Sequence, residues 1–340
     1  MEKILDSYEK GERFYLYTSR GPSSEAMHIG HLIPFVFSKW LQETFDVPLV
    51  IQMSDDEKYF SEDLKNCEEK ISIETIKKQT RENVKDIIAL RFDVNKTFIF
   101  SNFEYICPEY HKNICRVQKR IRVSMMKSVF DFKDEGNIGK IIFPAIQAAP
   151  CFSSSFPHIF YGKRDVPCLV PCAIDQDCYF DLTREVATKM DCKIPALIHG
   201  KFVPSLKEGV QSKMSSSKDE PSICLNDTDE AIERKIRAYN PNPISESEKK
   251  DMGLRKSEVD VIWHYLYFFM KDNEVYTLRQ KYDTGEIQSG VLKDKLIEIL
   301  KKTIGEIRQR RKQVTDEMVD RFMTPRQLNY KYNHGSTEML

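Results

Sequence analysis

The apolar positions change their period along the chain. "FYLYT", Phe14 to Thr18, is a strand-like run; Leu32, Phe35, Val36 and Trp40 then recur at helical spacing; "VPLVIQM" is a second continuous run ending near Met53. That succession predicts a βαβ unit. Further runs in "KTFIFS", "PCLVPCAI" and "PALIHGKF" alternate with helical stretches, the pattern of a parallel sheet covered on both faces. The expectation is an α/β fold with a Rossmann-like, doubly wound parallel sheet over residues 12–220. A mostly helical insertion, residues 104–164, separates the third and fourth strands; a segment of that size often forms a subunit interface or completes a pocket. After Asp227 no strand-like run follows, and "TDEAIERKIRAYN", "EVDVIWHYLYFFM" and the stretch from Ile287 are helical in period. Two domains are therefore expected, 1–226 with the sheet and insertion, and 227–340 all-helical. "NPNPISESEKKDMG", Asn240 to Gly253, is the most linker-like segment.

Composition narrows the function classes. A chain of 340 residues is long enough for two domains. The 52 basic and 52 acidic residues cancel, so any nucleic-acid binding must come from local patches. "MEKILDSYEK" lacks the basic start and apolar core of a secretory signal, and no apolar run reaches the ~18 residues of a membrane span; a soluble cytoplasmic protein without membrane contact is expected. Nine cysteines is an odd number and argues against a disulfide framework. Cys168, Cys172, Cys178 and Cys192 are too unevenly spaced for a zinc ribbon, so no protein-bound structural metal is expected.

Candidate chemistry begins at "RGPSSEAMHIGH", Arg20 to His31. A helix opening near His28 would set His28 and His31 on one face, with Gly30 admitting a ligand close to the backbone and both imidazoles able to meet phosphate oxygens. A capped helix with incidental histidines has the same spacing. Further on, "SKMSSSK", Ser212 to Lys218, offers a serine-rich loop with one lysine, which is either a phosphate-closing element or an ordinary polar surface loop. There is no GxxxxGK[ST], so nucleotide binding would rest on the helix start and not on a P-loop.

Together, in this order and on this fold, "HIGH" and "KMSSS" resemble the HIGH and KMSKS signatures of the class I aminoacyl-tRNA synthetases. "GPSSEAMHIGHLIPF", "VPLVIQMSDDEKY", "FPAIQAAP", "CAIDQD" and "VTDEMVDRFMTPR" are more closely similar to the archaeal and eukaryotic tryptophanyl members, from about Ser7 to Arg326. The resemblance implies activation of L-tryptophan by Mg²⁺-bound ATP, giving tryptophanyl adenylate and pyrophosphate, then transfer to tRNA-Trp. It implies His28, His31 and Lys213 as catalytic residues. It also implies Arg20, Gly21, His28, Gly30, His31, Lys58, Lys213, Met214 and Ser215 around ATP, and a homodimer with the insertion as interface.

Tryptophan has one polar side-chain handle, the indole N–H, so a selective site needs a buried acceptor and apolar walls. Tyr17 and Gln52, both expected at the carboxyl ends of strands, fit that acceptor by resemblance. Glu57, Gln147 and Gln176 match positions that meet the α-amino group, although the two glutamines also suit a structural role. Phe143, Pro150, Cys172 and Phe180 are wall candidates, each equally compatible with ordinary core. A site that reads an N–H rejects ligands lacking it by about 10⁴ to 10⁵, so no editing activity is expected.

Val291 to Lys312 holds eight basic against three acidic residues. Leu292, Leu296, Leu300, Ile304 and Ile307 mark a buried face that would leave much of that charge outward, for an RNA backbone or simply for solvent. The chain departs from the resemblance in four places. Ser216 replaces a lysine of the loop signature, placing more of the expected work on Lys213. "YNPNPIS", Tyr239 to Ser245, replaces a glycine-rich segment linked to anticodon contact. Ser19 stands where relatives often have glycine, and only Met1 to Arg13 precede the first strand, where relatives usually carry an extension that helps close the site. Tyrosine activation would need an acidic acceptor for a phenol, whereas Tyr17 and Gln52 are neutral. An HxGH nucleotidylyltransferase is disfavoured by the helical carboxyl half and "KMSSS", and a synthetase-like RNA-binding protein without catalysis by the survival of His28, Gly30, His31 and Lys213.

Overall fold

The computed structural model describes residues 2–22, 26–61, 71–130, 132, 136–206, 209–213, 222–239 and 255–329, with side chains left undescribed at 3, 209–213, 256, 259 and 272. Strands β1 (Tyr15–Arg20), β2 (Leu49–Met53), β3 (Thr97–Ser101), β4 (Cys168–Ala173) and β5 (Ala196–Gly200) form one sheet in the order β3-β2-β1-β4-β5, every pair parallel. All five residues of β2 and of β3 are buried, as a sheet covered on both faces requires. The order reverses at β1, which pairs with β2 on one side and β4 on the other. Ligands of open α/β sheets bind outside the carboxyl ends of the strands at such a reversal.

Helices α1 (Glu2–Glu9), α2 (Ile29–Phe45), α3 (Asp55–Ser61), α4 (Ile73–Ala89), α5 (Pro108–Gln118), α6 (Val123–Phe130), α7 (Ile138–Ala148), α8 (Pro157–Phe160) and α9 (Asp177–Lys189) accompany the sheet. Two of them start on side-chain caps that satisfy otherwise orphaned amides: Ser72 accepts from the Thr75 N–H and Asn137 from the Lys140 N–H. The insertion is helical as expected, formed by α5 to α8 with two short 3₁₀ turns. One expected pattern is redirected. In α2, Leu32 and Phe35 are buried, but Val36 and Trp40 are 50% and 55% exposed. The buried stripe continues instead through Ser38, Leu41 and Gln42. Its polar members are satisfied internally, Ser38 by the Pro34 carbonyl at 2.8 Å and Gln42 by Thr97 Oγ1 at 3.0 Å.

The chain forms two compact units, Met1–Ser23 with Pro34–Lys201 and Val314–Leu340, and Ser24–Ile33 with Phe202–Gln313. A cut after residue 226 follows the change from strands to helices along the sequence; the units follow contacts. The helix Asp316–Met323, capped by Thr315, belongs with the sheet. Arg81 and Lys85 of α4 reach Asp320 and Asp316 at 2.8 and 3.1 Å, and Arg326 donates to the carbonyls of Val94 and Thr97.

In the second unit, α10 (Asp229–Ala238) packs on the helix Ser289–Arg311. Leu292, Leu296, Leu300, Ile304 and Ile307 are all buried, as expected. The charge of that helix is less outward than expected. Lys293 donates to the Tyr239 carbonyl at 2.6 Å, Lys301 pairs with Glu233 at 2.6 Å, and Arg308 pairs with Asp229 at 3.0 Å. Arg308 and Lys301 neutralise acids in the first two turns of α10 while Lys293 meets a carbonyl at its carboxyl end, and only the remainder is left for solvent or a polyanion.

α3 and α7, which carry several candidate site residues, meet closely at Gly139, where an added Cβ would overlap the ring of Phe60. Gly139→Ala is expected to lower stability by about 1–3 kcal/mol through overpacking, read as a lower urea midpoint at unchanged slope. A midpoint at or above that of the unaltered protein would show that Phe60 turns aside freely.

Candidate active site

Gln52 sits next to the end of β2 and is wholly buried, so both ends of its amide need partners. Its Oε1 accepts from the Tyr17 hydroxyl at 2.5 Å, and its Nε2 donates to Asn102 Oδ1 at 2.9 Å, with the Tyr110 hydroxyl 3.3 Å away. Asn102, just past β3, donates in turn from Nδ2 to Asp56 Oδ1 at 2.6 Å. Tyr17, also wholly buried, lies 3.1 Å from the Gln147 carbonyl. The expected pair is thus brought together and neutral, and burial holds the Tyr17 hydroxyl well above its ordinary pKa.

Gln147, in α7, donates from Nε2 to Ser19 Oγ at 2.7 Å, while its buried Oε1 has no hydrogen-bond partner among the described residues. Ser19 therefore orients that side chain. Glu57, in the first turn of α3, accepts from Ser54 Oγ at 3.2 Å. Arg20, at the end of β1, is lowered to about 10 by burial of its head, opposed by the Glu57 carboxylate, and stays cationic at neutral pH. A Cβ on Gly21 would lie 3.4 Å from Ser54 Oγ. Lys58 is half-buried in α3.

Phe180 is buried with its ring edge-on to Tyr17 at 6.2 Å between centroids, and it shares a core cluster with Tyr15, Tyr17 and Phe100, against which Cys172 packs. Burial pushes the Cys172 thiol up to about 12. Phe143 is buried against Tyr179 at 6.0 Å, and Pro150 is buried with its carbonyl accepting from the Tyr15 hydroxyl at 2.8 Å. Gln176 is half-buried at the start of α9.

The second unit holds the histidines. The rings of His28 and His31 stack at 3.4 Å between centroids, and the His28 backbone N–H donates to His31 Nδ1 at 3.3 Å. His31 thus caps its own helix. With Nδ1 an acceptor, the neutral ring carries its proton on Nε2, the form that donates to an oxyanion. Ile29 N donates to the Ile223 carbonyl and Leu225 N to the Met27 carbonyl, at 2.9 and 2.8 Å, forming a bridge at His28 and Cys224. The chain at Ile223 to Leu225, after the serine-rich sequence, is thereby fastened to the start of α2. Lys213 ends strand β7 (Gly209–Lys213), which pairs antiparallel with β6 (Pro204–Ser205); its side chain, and Met214 and Ser215 altogether, lie outside the described residues, as does most of Tyr239–Ser245.

Sequence reasoning missed Asn102, Tyr110, Asp55 and Asp56. The adjacent acids after β2 were a signal, because paired carboxylates at the carboxyl end of a central strand either serve a site or need burial partners. Asp55 accepts from Ser101 Oγ and, at 3.3 Å, from the Phe103 N–H. Burial, with Asp55 and Glu57 adding to it, raises Asp56 to about 7 against the hydrogen bond from Asn102.

A family model described as tRNA synthetases class I (W and Y) matches residues 9–305. The chain belongs to this family. Among relatives of these class I synthetases, the cytoplasmic tryptophan–tRNA ligase of Oryctolagus cuniculus is 50% identical over 337 residues, spanning 98% of this chain and 69% of that protein. The tryptophanyl-tRNA synthetase of Plasmodium falciparum superposes with a TM-score of 0.82 at 38% identity, covering 95% of this chain and 84% of the other. That of Encephalitozoon cuniculi, solved bound to tryptophan, gives 0.81 at 37% identity over 95% and 86%. The Rossmann-like sheet with a helical carboxyl region is the class I fold.

The Asp56 shift has a sign. The folded protein keeps a proton that the unfolded chain releases near 3.8, so this group lowers stability as pH rises from about 4 to about 7, by at most about 1.4 kcal/mol per pH unit. Burial raises Asp55 in the same direction, while His158, lowered to about 4 by burial and Arg326, acts oppositely. Comparison with Asp56→Asn isolates the one group. Relative to the unaltered protein, Asp56→Asn is expected to be more stable at pH 8 than at pH 5; an equal difference at both would show that Asp56 titrates normally.

Proposed function

We propose that this class I synthetase activates L-tryptophan with ATP and transfers it to tRNA-Trp. The observation that carries the reading is the wholly buried Tyr17–Gln52 pair, whose oxygens offer neutral acceptors on two central strands, Gln52 next to the carboxyl end of β2 and Tyr17, against expectation, in the middle of β1, which runs on to Arg20. Neutral acceptors suit an indole N–H. In the first step a tryptophan carboxylate oxygen attacks the α-phosphorus of Mg²⁺-bound ATP, the bond to the bridging oxygen breaks, and pyrophosphate leaves. In the second, a hydroxyl of the terminal tRNA adenosine attacks the acyl carbon and AMP leaves.

Little covalent work falls to the protein, so catalysis is positioning and charge stabilisation. We assign phosphate contacts to His28, His31 and Lys213, with Arg20, Gly21, Gly30, Lys58, Met214 and Ser215 around the nucleotide. Glu57, Gln147 and Gln176 face the α-amino group, an assignment supported by the buried Oε1 of Gln147, which has no partner among the described residues. Phe143, Pro150, Cys172 and Phe180 wall the indole. Residues 1–226 then serve as catalytic domain and 227–340 as the anticodon-binding domain. A cytoplasmic location is supported by the names of the matched relatives.

The insertion is the dimer interface in this reading. It exposes Ile106, Val123 and Ile138 by 93%, 59% and 68%, apolar side chains that a second copy could cover. Sedimentation is expected to give a dimer, and Ile138→Asp to shift it toward monomer; a monomeric unaltered protein would remove the interface.

Amino-acid-dependent ATP–pyrophosphate exchange tests the activity. Exchange is expected with tryptophan and not with tyrosine or phenylalanine, and His31→Ala and Lys213→Ala should each lower it by about 10² to 10³. Exchange with tyrosine in preference to tryptophan would overturn the reading.

A further inference from the structure

We propose that Asp56 and Asn102 are positioning residues that set the hydrogen-bond polarity of Gln52 and Tyr17, so that the site presents acceptors and selects a ring N–H. The inference rests on the reading of this chain as tryptophan-activating and names what makes that site selective.

The argument starts at the end of the chain of hydrogen bonds farthest from Tyr17. Asp56 Oδ1 receives two donors, the Glu57 backbone N–H at 2.8 Å and Asn102 Nδ2 at 2.6 Å. A backbone N–H can only donate. In the ionised carboxylate, and in the acid that carries its proton on Oδ2, Oδ1 therefore accepts from both. Asn102 must turn its nitrogen toward Asp56 and its Oδ1 toward Gln52, where it accepts from Nε2 at 2.9 Å. The Tyr110 hydroxyl, 3.4 Å from Asn102 Oδ1 and 3.3 Å from the Ile146 carbonyl, can accept from Gln52 Nε2 while donating to either oxygen. Gln52 then has one orientation left, with Oε1 toward Tyr17 at 2.5 Å.

The neighbouring oxygens of Tyr17 settle the near end. Both Gln52 Oε1 and the Gln147 carbonyl accept, so the single hydroxyl proton points into the protein and a lone pair remains for a ligand. Reversing Gln52 would set Oε1 against Asn102 Oδ1, two acceptors facing, and put an NH₂ where the ligand N–H needs an acceptor. The backbone amide of Glu57, three links away, thus selects which end of the Gln52 amide faces Tyr17. Asp56 and Asn102 touch no ligand in this scheme and act through Gln52.

The test uses exchange kcat/KM for tryptophan and for its isostere with sulfur in place of the ring N–H, 3-benzothienylalanine. The unaltered protein is expected to prefer tryptophan by about 10⁴. Asn102→Leu and Asp56→Leu should each lower kcat/KM for tryptophan about 30-fold and leave the isostere within about 3-fold. Asp56→Asn, whose amide oxygen can take the same two donors, should keep the preference within about 3-fold of the original. A lesion of packing alone moves both substrates together, so equal losses would overturn the proposal, as would Asp56→Asn behaving like Asp56→Leu. Activity of the unaltered protein on tryptophan without preference over the isostere would overturn the polarity scheme alone. Absence of tryptophan-dependent exchange in the unaltered protein would overturn the reading beneath it as well.

Discussion

An amide buried inside a parallel sheet must have its oxygen and its nitrogen both met by protein, because no water reaches it and an unmet group costs about 1–3 kcal/mol. Gln52 imposes that constraint here, and four elements answer it. β1 supplies Tyr17, the residue after β3 is Asn102, α5 supplies Tyr110, and α3 supplies Asp56 beyond Asn102. The helical insertion is thus tied to the sheet by polar bonds as well as by packing. Burying Asp56 carries its own cost, visible in its raised pKa. The surrounding aromatic cluster of Tyr15, Phe98, Phe100, Tyr105 and Phe156 supplies the apolar burial that offsets it.

The two units contribute different chemistry. The first offers shape and a few committed hydrogen-bonding atoms, suited to telling one side chain from another. The second offers imidazoles ordered by a helix start, suited to charge on an oxyanion. That His31 is also a helix cap means that one side chain serves two ends: Nδ1 stabilises the backbone while the proton on Nε2 is fixed by the same bond.

What could be read from sequence follows from how far apart the interacting residues lie. The central strands were legible because strands buried on both faces are continuous apolar runs, and β5, though only half-buried to exposed, keeps a short apolar start in Ala196 to Ile198. The histidine pair was legible because its partners are three residues apart. Gln52 was reachable through its place at a strand end and by resemblance, Tyr17 by resemblance alone, because β1 runs on to Arg20 and leaves Tyr17 in mid-strand. Asn102 and Tyr110 were not, because no local pattern says which polar residue fifty positions away will meet a buried amide. Asp55 and Asp56 stood in plain view, but adjacent acids at a helix start ordinarily face water, and only the fold shows them buried. The Ser289–Arg311 helix divides the same way: its apolar stripe is a matter of period, whereas the pairing of Lys301 and Arg308 with α10 is a matter of which helix lies alongside.

The return of residues 314–329 to the sheet gives protein synthesis an unusual timetable. A ribosome releases the amino end first, so the strands of the first unit emerge early, and all of 202–313 emerges before the segment that completes that unit. Until Arg326 arrives, the carbonyls of Val94 and Thr97 that it binds must be met by water or a chaperone. The unit begun first is the one finished last, and a ribosome stalled anywhere between codons 202 and 313 would hold a sheet whose edge strand still lacks its cover.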